Sequence, residues 1–376
     1  MIFNDFQDLK LSALGLGCMR FPVVDGNEAL IDETATAELF DYAMAHGINY
    51  YDTAWGYHVG NSETVTGKLL QKYPRDSYYL ASKFPGYDPA NLEKKEQVFE
   101  AQLTKCGVDH FDFYLFHNVC ELNINAYLDP QYGLLDYLKE QKAQGRIRHL
   151  GFSTHASLET MERFLNFCGK DMEFCQIQLN WLDWEFQNAR GKMELLKKWG
   201  IPVWVMEPVR GGKLINLPKP HMDTLQAIAP QRSTAQWAFR FLQGFEDVAV
   251  TLSGMSNLAQ LQENIRIFET HDPLPEAERT SLLNIARSMT SDGTVPCTAC
   301  RYCTAYCPKG LNIPRLLELY NEQSYSGKNF IIEMGISSLP EDKRPAACIG
   351  CRSCEAVCPQ NIKISEVLAH FAESLK

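Results

Sequence analysis

The sequence predicts an α/β chain in which a (β/α)8 TIM barrel is followed by a small, mostly helical domain. Three observations lead there. Eight short apolar, β-branched or aromatic runs alternate with longer amphipathic stretches between about residues 11 and 270. No dinucleotide-binding glycine loop follows the first run, which weakens the doubly wound sheet as the alternative. Two copies of one cysteine pattern stand beyond the last run.

The strand candidates, in order, are Leu14 to Phe21, Ile48 to Thr53, Tyr78 to Phe84, Phe111 to His117, Ile147 to Ser153, Phe174 to Leu179, Val203 to Met206 and Val248 to Leu252. Helical patterns lie between them, over Asp32 to His46, Leu92 to Cys106, Leu158 to Phe167, Arg190 to Trp199, Thr234 to Leu242 and Leu258 to Phe268. Gly47, Gly107, Gly169 and Gly200 read as C-terminal caps. A Rossmann fingerprint would fall at Gly15-Leu16-Gly17-Cys18-Met19-Arg20, but Arg20 replaces the third glycine and the segment runs on towards Pro22. His271-Asp272-Pro273-Leu274-Pro275 breaks the alternation, so the barrel is expected over 1–271 and a second domain over 272–376. That domain opens with a helix over Glu276 to Ser288.

The cysteine runs are Cys297, Cys300, Cys303, Cys307-Pro308 and Cys348, Cys351, Cys354, Cys358-Pro359. The spacing C-x2-C-x2-C-x3-C-P, given twice, supplies the eight thiolates that two 4Fe-4S clusters require. Structural zinc normally draws on two separated ligand pairs, which fits less well. A disulfide scaffold would suit a secreted chain, and no basic, apolar, small-residue signal stands at the N-terminus. Helical stretches trail the runs, over Pro314 to Glu322 and Ser365 to Leu375, and about 40 residues separate the runs. Compact two-cluster ferredoxins have a shorter gap, so the expectation is a mostly helical ferredoxin-like domain with an insertion. Cys18, Cys106, Cys120, Cys168 and Cys175 show no ligand spacing and read as core thiols.

With 376 residues, 45% of them hydrophobic, the chain can bury a large core. No apolar run approaches the ~18 residues that span a bilayer, so no membrane partner is expected. A formal net charge of −10 argues against nucleic acid. Eight reduced thiolates point to the cytoplasm.

In a (β/α)8 barrel, chemistry gathers at the C-terminal ends of the strands. Asp52 ends the second run, with Tyr57 just beyond it; Lys83 ends the third and His117 the fourth. A hydride delivered to a carbonyl carbon leaves an oxygen that needs a proton. A tyrosine can give one when a neighbouring ammonium stabilises the phenolate, a carboxylate can hold that ammonium, and a histidine can orient the carbonyl. Singly, each residue also reads as core: a buried Asp–Lys pair tying two strands, a satisfied histidine. Four titratable types at four adjoining strand ends favour the catalytic reading.

These residues resemble those of the aldo-keto reductases, and the resemblance runs from residue 1 to about 270. It implies a (β/α)8 barrel that binds NADPH or NADH in extended form, with Asp52, Tyr57, Lys83 and His117 as the catalytic tetrad. The segment with Ser153 and Thr154, and Gln178 further on, resembles the strands that hold the nicotinamide carboxamide. Met206, Glu207, Pro208, Val209, Arg210, Gly211 and Gly212 resemble the loop folded over the pyrophosphate, with Met206 where many members stack a tyrosine. Gly254, Gln260 and Asn264 sit where the family binds the adenosine end. Many NADPH-preferring members put Lys and Arg there, so the choice of nicotinamide stays open. The whole chain resembles the branch with a C-terminal ferredoxin-type domain. By that analogy Cys297, Cys300 and Cys303 share a cluster with Cys358, and Cys348, Cys351 and Cys354 share the other with Cys307.

The implied function is NAD(P)H-dependent reduction of an aldehyde or ketone to an alcohol, or the reverse, with accessory clusters. The alternatives are electron transfer coupled to ferredoxin or flavin, with a redox partner protein, and clusters that are purely structural or partner-docking. Trp55, Phe84, Asn118, Trp181 and Trp184 read equally as mouth-lining or core residues.

Overall fold

Each of the eight runs becomes a parallel strand of one closed barrel. The computed structural model describes residues 1–297, 300–358 and 360–376, so Pro359, the last residue of the second cysteine motif, lies outside the described residues. An N-terminal pair, β1 (Phe3–Phe6) and β2 (Leu9–Ser12), precedes the barrel strands β3 (Leu14–Gly17), β4 (Tyr50–Asp52), β5 (Tyr79–Phe84), β6 (Phe111–Val119), β7 (Ile147–Thr154), β8 (Cys175–Gln178), β9 (Val203–Met206) and β10 (Val248–Ser253). Consecutive strands pair side by side and β10 closes on β3. The glycines searched for a dinucleotide loop serve this closure. A Cβ on Gly15 would stand 2.8 Å from Leu252 and 3.0 Å from Val250, inside the sheet's own packing.

The antiparallel hairpin β1–β2 was not legible in the sequence. Its Phe6, Leu9 and Leu11 are buried in one cluster with Tyr50, Phe113, Phe174, Trp204 and Val250, residues at or near the starts of the barrel strands. The Phe6 ring centroid lies 5.0 Å from that of Trp204 and 5.6 Å from that of Phe113. Each such side chain contributes roughly 1.5–3 kcal/mol by leaving water. The hairpin thereby plugs the N-terminal end of the barrel and leaves the C-terminal strand ends as the mouth.

The helices read from the sequence form, with one break: Pro89–Glu93 and Lys95–Cys106 replace a single stretch, Lys94 lying between them at φ −115°, ψ 27°. Gly47, Gly107 and Gly200 adopt φ of +86°, +63° and +68°. Gly169 does not cap in this way: it continues right-handed into a 3-10 turn, and a Cβ there would stand 2.8 Å from the Trp199 ring. Helices Ser62–Leu70, Leu134–Ala143 and Lys219–Ile228 had no sequence reading. The first buries Ser62, Glu63, Thr66 and Gly67 beside its aliphatics, and the third buries only Leu225. Neither carries the apolar stripe on which helix recognition depends.

The chain divides into two compact units, Met1–Leu282 and Leu283–Lys376. In the second, helices Ile313–Ser326 and Ile364–Ser374 enclose a core of Leu311, Ile313, Leu316, Leu317, Ile362, Ile364 and Leu368 with Cys303 and Cys354, and helix Phe330–Ser337 packs Ile332 on Leu319 and Phe371 in a separate cluster. No strand follows β10 among the described residues. The described parts of the two cysteine runs share backbone features. Arg301 and Arg352 take φ of +65° and +61°, and Gly310 and Asn361 take +58° and +53°. The helices at Ile313 and Ile364 begin the same distance beyond Cys307 and Cys358. Phe330–Ser337 and the turns around it make up the insertion between the runs. No helix among the described residues is long and apolar enough to cross a membrane.

Candidate active site and cysteine-lined pockets

Asp52 is the last residue of β4, paired with Gly17 on one side and Ala81 on the other. Lys83 stands two residues beyond Ala81 on β5 and so shares its face, while Ser82 points the other way. Lys83 Nζ donates to Asp52 Oδ1 at 2.5 Å and to the Thr53 carbonyl at 2.8 Å, with Asp52 only 3% exposed and Lys83 1%. Tyr57 reaches the same ammonium from the turn Tyr57–Gly60, its hydroxyl 3.4 Å from Nζ. That turn is tight, with His58 and Val59 at φ of +52° and +55°. It is pinned by Ser62, whose hydroxyl lies 2.9 Å from Thr53 Oγ1 and donates to the Cys18 carbonyl at 2.8 Å.

His117 arrives by a different device. The β6–β7 pairing is regular through Phe116 and resumes at Val119, and Asn118 between them has φ of +51°. An irregularity of this kind re-aims a side chain at a strand end. The His117 ring packs edge-on at 6.1 Å from Tyr57 and 5.6 Å from Tyr87. Its Nδ1 is buried without a hydrogen bond among the described residues.

A polar network supports Lys83 from behind. Gln102 donates to the Lys83 carbonyl at 3.0 Å and to Glu63 Oε1 at 2.6 Å, and Ser82 donates to the same oxygen at 2.7 Å. Burial raises the Glu63 carboxyl above its usual range, although these donors oppose the rise.

The electrostatics follow from burial. Loss of water raises Asp52 above the usual carboxylate range, against the pull of Lys83. Lys83 is itself raised: burial would lower it, and the charges of Asp52 and Tyr57 outweigh that. Burial raises the Tyr57 phenol above the ordinary value and Lys83 only partly offsets this, so the net direction is opposite to the lowering that the ammonium alone gives, and the side chain is a protonated donor. His117 is held well below 6.5 by burial first, then by Lys83 and His155. It stays neutral in the folded chain.

Around the mouth, Ser153 Oγ accepts the Asn118 amide at 2.8 Å, which leaves its hydroxyl proton to donate. Gln178 Nε2 donates to Asp183 Oδ2 at 2.7 Å, which leaves its carbonyl oxygen to accept. One donor and one acceptor suit a carboxamide. The Thr154 hydroxyl, by contrast, donates to the Val119 carbonyl at 2.7 Å and accepts from Ala156, so it ties the end of β7 to the end of β6 rather than facing a ligand. Met206 ends β9 opposite Gln178. Beyond it Pro208 is buried and Val209 half-buried, and the loop is strained, with Glu207, Arg210, Gly211 and Gly212 at φ of +55°, +51°, +61° and +92°. Asn264 donates to Ser253 Oγ at 3.1 Å, and Gln260 accepts the Ser256 amide at 2.8 Å, so both hold the exposed loop at Gly254.

Of the aromatics proposed for the mouth, Phe84 and Trp181 are buried, and Trp184 packs on Phe241 and Phe245. Trp55 lies under the Lys105 ammonium. Tyr87, absent from the sequence reading, stands half-exposed beside His117. The glycine before it, in Pro85-Gly86-Tyr87, was the available signal of a turn at a strand end.

In the second unit the cysteines meet crosswise. Cys297, Cys300 and Cys303 line a space of about 310 Å³ with Cys358, together with Pro314, Leu317, Ile362 and Ile364. Cys348, Cys351 and Cys354 line another of about 320 Å³ with Cys307, Leu311 and Leu368. Four thiols around one apolar-walled space form the donor set of a cubane cluster. Among the described residues no three His, Cys, Asp or Glu side chains converge on a single-ion site. The Leu311 amide donates to Cys307 Sγ at 3.4 Å, the kind of bond that tunes a cluster. Cys18, Cys106, Cys120, Cys168 and Cys175 are buried in the barrel unit.

Comparison with known proteins agrees with this architecture. Residues 13–285 match the model of the aldo/keto reductase family, and residues 296–362 match that of the 4Fe-4S dicluster domain. An uncharacterized oxidoreductase of Bacillus subtilis, YqkF, is 26% identical over 294 residues, covering 69% of this chain and 88% of that protein. The NADH-specific methylglyoxal reductase of Escherichia coli is 26% identical over 230 residues, covering 55% and 66%. Among solved structures, the holo form of the aldo-keto reductase AKR11C1 from Bacillus halodurans superimposes with a TM-score of 0.63 at 25% identity, over 76% of this chain and 96% of that one. The chain belongs to the aldo-keto reductase family and is an oxidoreductase that carries a C-terminal 4Fe-4S dicluster domain.

Proposed function

We propose that the chain reduces an aldehyde or ketone to an alcohol, or runs the reverse, with NADPH or NADH bound at the barrel mouth and two accessory 4Fe-4S clusters in the second unit. The observation that carries this reading is the single ammonium of Lys83, shared between Asp52 at 2.5 Å and the Tyr57 hydroxyl at 3.4 Å. A bound dihydronicotinamide supplies the hydride. Tyr57, protonated at rest, gives its proton to the carbonyl oxygen as that oxygen gains charge. Lys83 stabilises the phenolate left behind, and Asp52 keeps Lys83 charged and aimed. Neutral His117 offers an N–H that orients and polarises the carbonyl.

In this reading Ser153 and Gln178 would hold the carboxamide, Met206 would flank the ring, the Glu207–Gly212 loop would cover the pyrophosphate, and Gly254, Gln260 and Asn264 would receive the adenosine end. The name of the Escherichia coli relative supports a small carbonyl substrate and NADH. The cysteine quartets would hold the clusters. Their need for reduced thiols supports a cytoplasmic setting.

The test is Tyr57→Phe on the iron-loaded chain. It is expected to bind coenzyme with unchanged affinity and to lose carbonyl reduction by about 100- to 10,000-fold. Undiminished turnover would end the assignment.

One observation favours a second reading, cluster-mediated electron transfer to a ferredoxin or flavin partner: Cys300 and Cys351 are exposed, so each quartet has an accessible edge. Anaerobic mixing with NADH or NADPH separates the two. Bleaching of the clusters with a reduced-cluster EPR signal would support electron transfer, and silent clusters beside carbonyl-dependent coenzyme oxidation would support the accessory role.

A further inference from the structure

We propose that the open edge of the quartet Cys307, Cys348, Cys351 and Cys354 is a docking surface for an acidic one-electron carrier protein, with Lys309 and Arg352 as its cations and Ile349 as its apolar centre. The proposal deepens the electron-transfer reading above and rests on it.

The two quartets differ in what surrounds them. Among the described residues, Arg301 is the one charged side chain lining the first space, whereas Lys309 and Arg352 both line the second. Ile349, which stands between Cys348 and Cys351 in the chain, lines the second space too. Lys309, Ile349, Cys351 and Arg352 are all exposed, Ile349 to 60%. Lys343 adds a third cation, its ammonium donating to the Lys309 carbonyl at 2.6 Å. An exposed apolar side chain flanked by cations, beside an exposed cluster ligand, has the make-up of a contact patch for a protein of opposite charge.

This patch runs against the charge of the whole chain. The formal net charge is −10, yet the two cysteine runs, 297–310 and 348–358, hold Arg301, Lys309 and Arg352 against a single carboxylate. That carboxylate, Glu355, accepts both the amide and the hydroxyl of Ser365. The acids that pair with the patch are Glu366, 3.2 Å from Arg352 Nη2, and Asp342, 3.9 Å from the Lys343 ammonium. Arg352 and Glu366 are 63% and 62% exposed, so water screens the pair and a carrier carboxylate can take the place of Glu366. Arg352 also stands at φ +61°, a backbone that glycine or asparagine adopts more readily, and an exposed ion pair offsets little of that cost.

A cluster on four thiolates is itself anionic, so both it and the chain at large repel an acidic carrier. Cations at the open edge reverse the sign locally and steer the carrier towards Cys351. Each encounter moves one electron from the reduced carrier, an iron-sulfur or flavin protein, to the cluster, with no bond made and no proton moved.

The test is stopped-flow reduction of the iron-loaded chain by two one-electron donors, a reduced acidic ferredoxin and reduced methyl viologen, a small cation. Wild type is compared with Lys309→Gln/Arg352→Asn, in which asparagine suits the left-handed backbone, and with Ile349→Ser, each matched to wild type in iron content and cluster absorbance. Ferredoxin is expected to reduce the double variant about tenfold or more slowly at low ionic strength, with a shallower salt dependence, and viologen no more slowly than wild type. Lys309→Gln alone, which leaves the Arg352 backbone untouched, is expected to show the same pattern more weakly. Ile349→Ser is expected to slow ferredoxin alone, at high salt as at low. Equal ferredoxin rates for wild type and the double variant would overturn the docking surface and leave electron transfer standing. Slowing with both donors alike would assign the cations to the cluster itself, which overturns it as well. Wild-type clusters that neither donor reduces would instead overturn the electron-transfer reading, and this proposal with it.

Discussion

Lys83 and Asp52 form a buried ion pair, Nζ to Oδ1 2.5 Å, that joins the ends of two adjacent barrel strands. A buried pair is weak evidence of stability in itself, because both ions lose hydration. Removing one partner strands the other. Asp52→Asn is therefore expected to destabilise the chain by about 3–5 kcal/mol unless Lys83 gives up its proton. It should also cut carbonyl reduction by about 100-fold or more through loss of the charge that steadies Tyr57. Chemical denaturation and steady-state kinetics on one preparation test both. A variant as stable and active as wild type would show that the pair serves neither purpose.

His117 makes a prediction in pH. Burial, Lys83 and His155 keep its ring neutral in the folded chain, whereas in the unfolded chain it takes a proton near 6.5. Below that pH the unfolded state binds the extra proton, so stability falls as pH drops from about 6.5 towards the lowered folded value and is fully present above it. His117→Gln should flatten this acid loss by about one proton. An imidazole NMR signal from His117 that titrates near neutrality in the folded chain would sink the account.

The crosswise cysteine quartets give pairs of variants with unlike outcomes. Cys297→Ser with Cys358→Ser strikes one quartet, whereas Cys348→Ser with Cys358→Ser strikes both. The first double variant is expected to retain about half the iron and one cluster spectrum, the second to lose most of both. Iron analysis with Mössbauer spectroscopy decides. The reverse pattern would mean that each run binds its own cluster.

Helix Ser62–Leu70 carries Glu63 and meets the carbonyl end of helix Lys95–Cys106 at Gly67. A Cβ there would stand 2.2 Å from the Cys106 carbonyl oxygen, and backbone cannot yield as a side chain can. Gly67→Ala should cost about 2 kcal/mol or more by forcing the helices apart. It should also loosen the Glu63–Gln102–Lys83 chain of hydrogen bonds. A thermal midpoint equal to wild type would contradict this.

The sequence alone determined the barrel, its eight strands and the two cysteine runs, whereas the two units divide at Leu282, about ten residues beyond the break at Pro273. The first three are written in local periodicity, in glycine and proline punctuation, or in ligand spacing. It also put Asp52, Lys83 and His117 at strand ends, because a strand's end is a local property. Only the tertiary structure decided what those ends do together. Burial, set by residues distant in the chain, raises the Tyr57 phenol against the lowering by its neighbour Lys83. The irregularity at Asn118 turns His117 into the mouth, and Thr154 spends its hydroxyl on Val119. The hairpin that plugs the barrel hides Phe6, Leu9 and Leu11 against partners up to about 250 residues away. Arg20 and Ser256 are separated by most of the barrel sequence, and their hydrogen bond forms only because β3 and β10 close the sheet. Ring closure makes first and last strands neighbours, and no local pattern in the chain records which side chains it will bring face to face.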